Sequence, residues 1–150
     1  MRRVSSTGAP AASAGQWPAT IPAVEQLLRE GLELGAGPTL LVGENGSGKS
    51  TLVEAIAMAF GLAPEGGTRN VQERTRSTES ALHEWITLEK TPGASHWGFF
   101  LRSETMHGYF TRHESYSSER DPHFHELSHS EAFLEVLRTR ATRYLPDGTT

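Results

Sequence analysis

The amino-acid sequence predicts an α/β fold, and three adjoining features predict it. Residues 39–42 form a short continuous apolar run, β-branched at both ends, which is typical of a buried strand. A glycine-rich loop follows at residues 43–50, and the apolar positions of residues 50–60 repeat at helical spacing. Because a strand that leads through a glycine-rich turn into a helix is the repeating unit of α/β proteins, we expect that architecture.

Length allows one domain, and the composition argues against wholesale disorder. The 150 residues carry 14 Lys and Arg against 18 Asp and Glu, a net charge of −4. With 36% hydrophobic and 21% charged residues, the chain is too apolar for wholesale disorder. A mildly acidic chain is also unsuited to coating nucleic acid non-specifically, so a nucleic-acid partner is not indicated, although it is not excluded.

The cysteine count and the longest apolar runs bear on the cellular compartment. The chain has no cysteine, which removes disulfides and thiolate metal sites and fits a reducing compartment. No apolar run approaches the roughly 20 residues of a membrane span. These two observations predict a cytoplasmic protein without a membrane segment.

Turn-forming and helix-capping residues predict the structure of residues 1–34. Residues 1–16 are rich in Ser, Ala, Gly and Pro and are expected to form a flexible leader. A helix is expected to begin with Thr20 as its N-cap and Pro22 in its first turn, and to end at Gly31. Residues 32–34 alternate in polarity and predict a short edge strand.

Helical spacing resumes after the loop. The predicted helix 50–60 has one apolar stripe and ends at Gly61; the stripe contains Leu52, Val53, Ile56, Ala59 and Phe60. Residues 81–88 are ambiguous between helix and strand, and residues 97–101 predict a strand. Residues 107–129 predict a long polar loop. The pattern S-x-x-E at Ser128 and Glu131 then predicts a capping box that opens a final helix.

The glycine-rich loop matches G-x-x-x-x-G-K-S, the phosphate-binding loop. Its glycines allow successive backbone N–H groups to surround phosphate oxygens, and the helix that follows adds its positive end. Lysine in this pattern reaches the β- and γ-phosphates of ATP, and the following hydroxyl binds Mg²⁺. The loop residues are Gly43, Glu44, Asn45, Gly46, Ser47, Gly48, Lys49 and Ser50.

Residues 43–57, GENGSGKSTLVEAIA, resemble the phosphate loop of ABC-type ATPases. Four further blocks resemble a family of bacterial predicted ATPases with an ABC-like core; they are IPAV at 21–24, GLAPEGGTRN at 61–70, GFFLRSE at 98–104 and HELSHSEAFL at 125–134. The resemblance covers about residues 17–143. It implies a three-layer P-loop NTPase fold of ABC type, with residues 17–150 as the N-terminal part of its ATP-binding domain.

The resemblance also implies roles for single residues. The loop and Thr51 would bind ATP, and Ser50 would bind Mg²⁺. Ser128 corresponds to the signature serine, which in such ATPases caps the γ-phosphate held by a second subunit and so implies a head-to-tail homodimer. Glu104 lies where ABC-type folds place a residue that touches Mg²⁺ and water. Lys49 and Glu104 are therefore the candidate catalytic residues.

The sequence departs from that family at two places. Ser130 replaces the signature glycine, where a Cβ could hinder approach to phosphate. In the family, a strand after the signature helix supplies the Mg²⁺-positioning Asp and the water-orienting Glu, whereas no apolar strand ending in Asp-Glu follows Glu131 here. Residues 85–89 are similar to such a strand but precede the signature block.

The departures set the functional expectation. We expect these 150 residues to bind ATP and Mg²⁺ but to hydrolyse ATP negligibly on their own. Without the family's additional strand, we expect an unpaired sheet edge with exposed apolar surface, and dependence on a partner chain that supplies the strand. The alternatives are a non-catalytic remnant or interaction module, and a small P-loop kinase. Such a kinase needs an acceptor-activating Asp, but Asp121 and Asp147 both lie outside apolar strand patterns.

Three other features have a functional and a structural interpretation. Trp17 could stack on adenine, but a partly buried anchor is the expected role. The five histidines between 107 and 129 suggest a metal site, but they complete no recognised ligand pattern, so a solvated loop is expected. The basic cluster of Arg69, Arg74 and Arg76 is expected to be a solvated face rather than a nucleic-acid contact.

Overall fold

The computed structural model describes residues 1–8, 15–64, 80–94, 96, 98–102, 131, 134, 135 and 138. These residues belong to two units, Met1–Phe100 and Leu101–Thr150. The first unit contains the predicted phosphate loop. Its described elements are a small sheet and two α-helices, so the α/β class is in agreement with the structure.

A three-stranded antiparallel sheet lies in the first unit. The strands are β1 (Arg3–Ser6), β2 (Leu32–Glu33) and β3 (Ile86–Glu89), in the order β2-β1-β3. β2 is an edge strand, as its sequence predicts. β3 runs antiparallel to β1, with Val4 opposite Leu88.

The central strand corrects the prediction that residues 1–16 are a flexible leader. Val4 in β1 is fully buried, and Arg3 forms an ion pair with Glu33 of β2. Arg3 Nη2 also donates to the carbonyl of Glu30 at 2.8 Å. With one apolar residue, the segment shows no period-two pattern; its strand structure comes from backbone pairing with a neighbour on each side.

Helix α1 spans Pro22–Glu30 and buries Val24 and Leu27. Ile21, not the predicted Thr20, occupies the N-cap position, and no side chain caps the helix. Pro22 lies in the first turn, where its missing N–H costs no helical hydrogen bond. Gly31 ends the helix as predicted, and its N–H donates to Leu27 O at 2.8 Å.

Helix α2 spans Lys49–Phe60 and ends at Gly61, in agreement with the predicted helix 50–60. Its buried residues are Leu52, Ala55 and Ala57, whereas Val53 is 41% exposed. The predicted apolar stripe is therefore wrong at Val53. Because successive helical residues are about 100° apart, burying Leu52 against the core turns Val53 outward.

Residues 39–42 do not form the predicted buried strand. Leu40 is 84% exposed and Val42 is 92% exposed, and the segment has no strand pairing in the described part of the chain. Leu41 is half-buried and packs against the core. An apolar run has strand propensity, but it becomes a buried strand only when a neighbouring strand pairs with it and its second face is covered.

Residues 81–88 contain both of the structures that their sequence left open. A 3₁₀-helix at Ala81–Glu84 is capped by Ser80, whose hydroxyl accepts from Leu82 N at 3.1 Å, and β3 follows. The predicted strand 97–101 is reduced, among its described residues, to a single bridge at Phe100.

The core of the first unit lies where α1, α2, β1, β3 and the 3₁₀-helix pack together. Its buried members are Val4, Val24, Leu27, Leu52, Ala55, Leu82, Trp85 and Ile86. A smaller cluster joins Ala57, Leu62 and Phe100, with Phe60 packed against it. Burial of Leu52 and Ala55 fixes the first half of α2, and hence the position of the loop that precedes it.

The described residues of the second unit agree with the predicted final helix. Glu131, Leu134, Glu135 and Arg138 are all helical. Leu134 is 63% exposed, although it belongs to the predicted apolar stripe of this helix. Ser128, the predicted cap, lies outside the described residues.

Candidate functional site

The candidate site is the loop of residues 43–50, whose backbone is shaped by glycine. Gly46 and Gly48 have φ angles of 82° and 92°, in the left-handed region that favours glycine. Ser47 N donates to Glu44 O at 3.2 Å, which closes a turn inside the loop. A Cβ at Gly48 would lie 2.5 Å from Ile21 Cγ2, so the segment before α1 approaches the loop closely at this point.

The side chain of Lys49 connects the end of the loop to its first two residues, Gly43 and Glu44. Its Nζ donates to Gly43 O at 2.7 Å and to Glu44 O at 2.6 Å, and lies 3.4 Å from Ser47 Oγ. An ammonium group has three donors, and here all three are directed at the loop: two at the carbonyls that begin it and the third, in a longer hydrogen bond, at Ser47 Oγ. The arrangement fixes a positive charge beside the loop.

The N-terminus of α2 adds further positive potential. The first helical hydrogen bond of α2 runs from Leu52 N to Gly48 O at 3.0 Å. The N–H groups of Lys49, Ser50 and Thr51 precede it and have no partner within the helix. The first turn contains no acidic residue. Free amides, the helix dipole and an ammonium group together make an anion-binding site.

Ser50 lies on the open side of this site. Its residue is exposed in the first turn of α2, next to Lys49. A hydroxyl oxygen is a hard donor that suits Mg²⁺, which also keeps several waters and phosphate oxygens in its coordination shell. The donor chemistry of Ser50 therefore fits the predicted metal role.

A groove of about 510 Å³ adjoins the loop, between α1 and residues 40–43. Its walls include Ala23, Leu27, Leu32, Leu41 and Leu52. Lys49 is the one charged residue among the described residues that line it. The groove is thus apolar along its length and positive at the loop.

The structure describes residues 43–51, the predicted loop and the start of α2, but it does not describe two other predicted site residues. Glu104 and Ser128 lie outside the described residues, as do the five histidines between 107 and 129 and the arginine cluster at 69–76. Among the residues that are described, no three His, Asp or Glu side chains are grouped so that they could hold a metal ion.

Trp17 is 60% exposed, so the expectation of a partly buried anchor is wrong. Pro18, its neighbour, is buried instead. Ile21 N donates to Pro18 O at 3.0 Å, closing a turn that places Ile21 against Gly48. An exposed indole therefore lies one turn away from the residue that touches the loop.

Two features of the site were missed by the sequence analysis. One is the support of Gly48 by Ile21, which precedes the loop by more than 20 residues; an apolar residue next to a predicted helix start was the available signal. The other is the exposure of Leu40 and Val42, for which an apolar run gives no signal, because burial depends on distant neighbours.

Comparison with known proteins gives a family match. The model of a family described as AAA domain matches residues 26–132, more than two thirds of the chain, including the whole loop. A search of curated proteins found no match, and a search of solved structures found none either. Within the described residues, no helix has both the length and the apolar character needed to cross a membrane.

Proposed function

We propose, since the chain belongs to the AAA domain family of P-loop ATPases, that residues 43–51 bind ATP together with Mg²⁺. The observation that carries the proposal is the position of the Lys49 ammonium group, held by Gly43 O and Glu44 O at the N-terminus of α2. Membership of the family supports nucleotide binding in general; the geometry of Lys49 supports this loop as the place.

Each part of the loop has a proposed role. The N–H groups of Lys49, Ser50 and Thr51 donate to phosphate oxygens, and the positive charge of Lys49 neutralises the terminal phosphates. The Ser50 hydroxyl holds the metal. Bound Mg²⁺ supplies charge neutralisation of the β- and γ-phosphates. The exposed ring of Trp17 is available to stack against the base.

Titration with labelled ATP tests the proposal, and the chain supplies its own control. Lys49 and Lys90 are the only lysines. Lys90 lies over the Phe60 ring at 4.2 Å, away from the loop residues. Lys49→Ala should weaken ATP binding by about 10- to 100-fold, because charged hydrogen bonds contribute roughly 1.5–3 kcal/mol. Lys90→Ala makes the same charge change and should leave affinity unchanged. Equal affinities of Lys49→Ala and wild type would reject the loop as the binding site.

The finer assignment is an ATPase of ABC type with a three-layer fold. It is supported by the sequence blocks around residues 98–104 and 125–134 and by the helical state of Glu131 and Leu134. In this assignment Ser128 of one subunit caps the γ-phosphate bound by another, and Glu104 contacts Mg²⁺ and water. Such a head-to-tail dimer would be the form that hydrolyses ATP.

Light scattering with and without ATP and Mg²⁺ tests the head-to-tail dimer. We expect a nucleotide-dependent doubling of mass that Ser128→Trp abolishes, because the bulky side chain would block approach of the signature to phosphate. His129→Trp is the neighbouring control. A protein that stays monomeric at ATP concentrations that saturate the loop would contradict the signature assignment.

A further inference from the structure

Asn45 and Gly46 are the two central residues of the turn inside the phosphate loop. The turn is closed by the hydrogen bond from Ser47 N to Glu44 O at 3.2 Å. Both central residues are exposed. Gly46 has a φ angle of 82°, and a Cβ built on it would meet no atom within 4 Å. The peptide bond between Asn45 and Gly46 therefore has open space around it on the glycine side.

An asparagine that precedes a glycine can react with its own backbone. The side-chain amide carbon of the asparagine is an electrophile, and the backbone nitrogen of the next residue reaches it by closing a five-membered ring. Glycine has no Cβ to shield that nitrogen or to restrict the rotation that closes the ring. The chain has two asparagines, and the other, Asn70, precedes Val71, whose branched Cβ crowds the nitrogen.

The two reacting groups are unrestrained within the described part of the chain. No described residue forms a hydrogen bond with the Gly46 N–H or with the side-chain amide of Asn45. The ends of the turn are held, in contrast, because Ser47 N and Lys49 Nζ both donate to Glu44 O, at 3.2 and 2.6 Å. The reacting pair therefore lies where the backbone of the loop can move at least cost.

Loss of the amide would change both the charge and the length of the loop. Asn45 would become a carboxylate next to the carboxylate of Glu44, in the loop that we propose to hold phosphate. The isomeric product, isoaspartate, also lengthens the backbone between residues 45 and 46, so the turn from Glu44 to Ser47 could not close in its present form. Repulsion of phosphate and a distorted turn would both weaken anion binding.

We propose that Asn45 is a site of spontaneous deamidation and that a bound nucleotide protects it. Gly46 N attacks Cγ of Asn45, its proton leaves with the side-chain nitrogen as ammonia, and a succinimide ring forms. Water then adds to one of the two ring carbonyls and opens the ring to aspartate or isoaspartate, with no oxidation or reduction. The protection rests on the proposed function, because phosphate oxygens that accept from the loop amides hold the turn away from ring closure. Deamidation of the empty loop does not rest on it.

Peptide mapping of the full chain tests the site without nucleotide. The protein is incubated at mildly alkaline pH and digested with trypsin, and the acid content at each asparagine is measured by mass spectrometry. Cleavage after Arg29 and Lys49 releases residues 30–49, in which Asn45 is the only asparagine, and Asn70 falls in a different peptide. Asn45 should be converted to aspartate and isoaspartate while Asn70 keeps its amide. The proposal is overturned if Asn45 keeps its amide for as long as Asn70 does.

The same incubation with ATP and Mg²⁺ tests the protection. ATP at about ten times its dissociation constant should slow conversion of Asn45 about tenfold, because only the empty loop reacts. Lys49→Ala should still deamidate but should lose the protection at the same ATP concentration. Conversion at an unchanged rate in a loop saturated with ATP would overturn the protection. A chain that deamidates at Asn45 but binds no ATP would reject the proposed function, and the protection with it, while supporting the modification site.

Two variants of Asn45 test the consequence for ATP binding. Asn45→Asp has the charge of the product and should weaken ATP binding on the order of tenfold from the start. Asn45→Gln keeps the amide, but its longer side chain could close only a less favourable six-membered ring. Its ATP affinity should therefore stay constant during incubation, while that of wild type falls. An equal decline of affinity in wild type and Asn45→Gln would show that the loss arises elsewhere and would overturn the link between residue 45 and ATP binding.

Discussion

Ser50 separates the metal-dependent part of ATP binding from the phosphate-dependent part. Its hydroxyl is exposed in the first turn of α2, and Lys49 beside it is occupied by loop carbonyls. We expect Ser50→Ala to weaken ATP binding in the presence of Mg²⁺ and to have little effect in EDTA, because only the hydroxyl–metal bond is lost. Isothermal titration with and without Mg²⁺ measures this. An equal loss in EDTA would contradict the metal role.

Gly48 is required by both the backbone and its neighbour. A side chain at φ 92° is strained, and a Cβ there would meet Ile21 Cγ2 at 2.5 Å. Gly48→Ala should reduce the free energy of unfolding by about 1–3 kcal/mol, measured in urea, and weaken ATP binding.

Gly46→Ala is the matched control for Gly48→Ala. Its φ of 82° imposes similar backbone strain, but a Cβ at Gly46 would meet no atom within 4 Å. Its cost should therefore be the smaller of the two. Ile21→Ala combined with Gly48→Ala should recover part of the difference. Equal costs for both single variants would show that the Ile21 contact is unimportant.

At the scale of the element, the last turn of α1 has a measurable electrostatic signature. A hydrogen bond from Arg29, one from Gln26 and the Arg29 charge together hold the pKa of Glu30 below its ordinary value of 4.5. Because the folded pKa is the lower one, the contribution to stability is present above the unfolded pKa and is lost as pH falls through the folded pKa.

Carboxyl NMR titration of wild type and Arg29→Gln tests that electrostatic contact. The Glu30 pKa should rise toward 4.5 in the variant. Because both side chains lie at the surface, the effect on stability should be small. A Glu30 pKa that does not change in Arg29→Gln would show that the contact does not persist in solution.

The sequence predicts elements well where the causes are local. Helix α2 and the loop before it follow from glycine spacing and a helical apolar pattern, both contained within residues 43–61. β1 and residues 39–42 were predicted wrongly for a common reason. A strand is defined by its partner: Arg3–Ser6 finds partners more than 25 residues away, whereas residues 39–42 find none among the described residues.

In the candidate site, too, the features set by local sequence could be predicted and the features set by packing could not. Lys49 and Ser50 could be proposed as site residues because one short motif contains them. The contact of Ile21 with Gly48 could not be predicted, since it depends on how the turn before α1 packs. The exposure of Trp17 depends likewise on which of two adjacent residues, Trp17 or Pro18, turns inward.

At the scale of the whole molecule, the 150-residue polypeptide should bind ATP but release phosphate at a negligible rate. In the proposed site Lys49 and the amides of α2 hold phosphates, whereas no apolar strand that ends in Asp-Glu follows Glu131 within these 150 residues. Lack of a general base costs on the order of 10²-fold or more in rate. Phosphate release from protein freed of contaminating ATPases, with Lys49→Ala as control, measures it. Steady turnover that vanishes in Lys49→Ala would show that Glu104 or another residue performs the missing role.

The position of β1 has a consequence for the order of events during synthesis. Arg3 is synthesised before both of its partners across the sheet, Glu33 and Glu89. The pairing of β1 with β3 must therefore wait until most of the first unit has been translated. Closing so long a span is the slow kind of folding step, because chain entropy is lost before the contact is gained. Helix α2 and its loop need no such wait, so the phosphate-binding part of the nascent chain can take shape before the sheet that supports it.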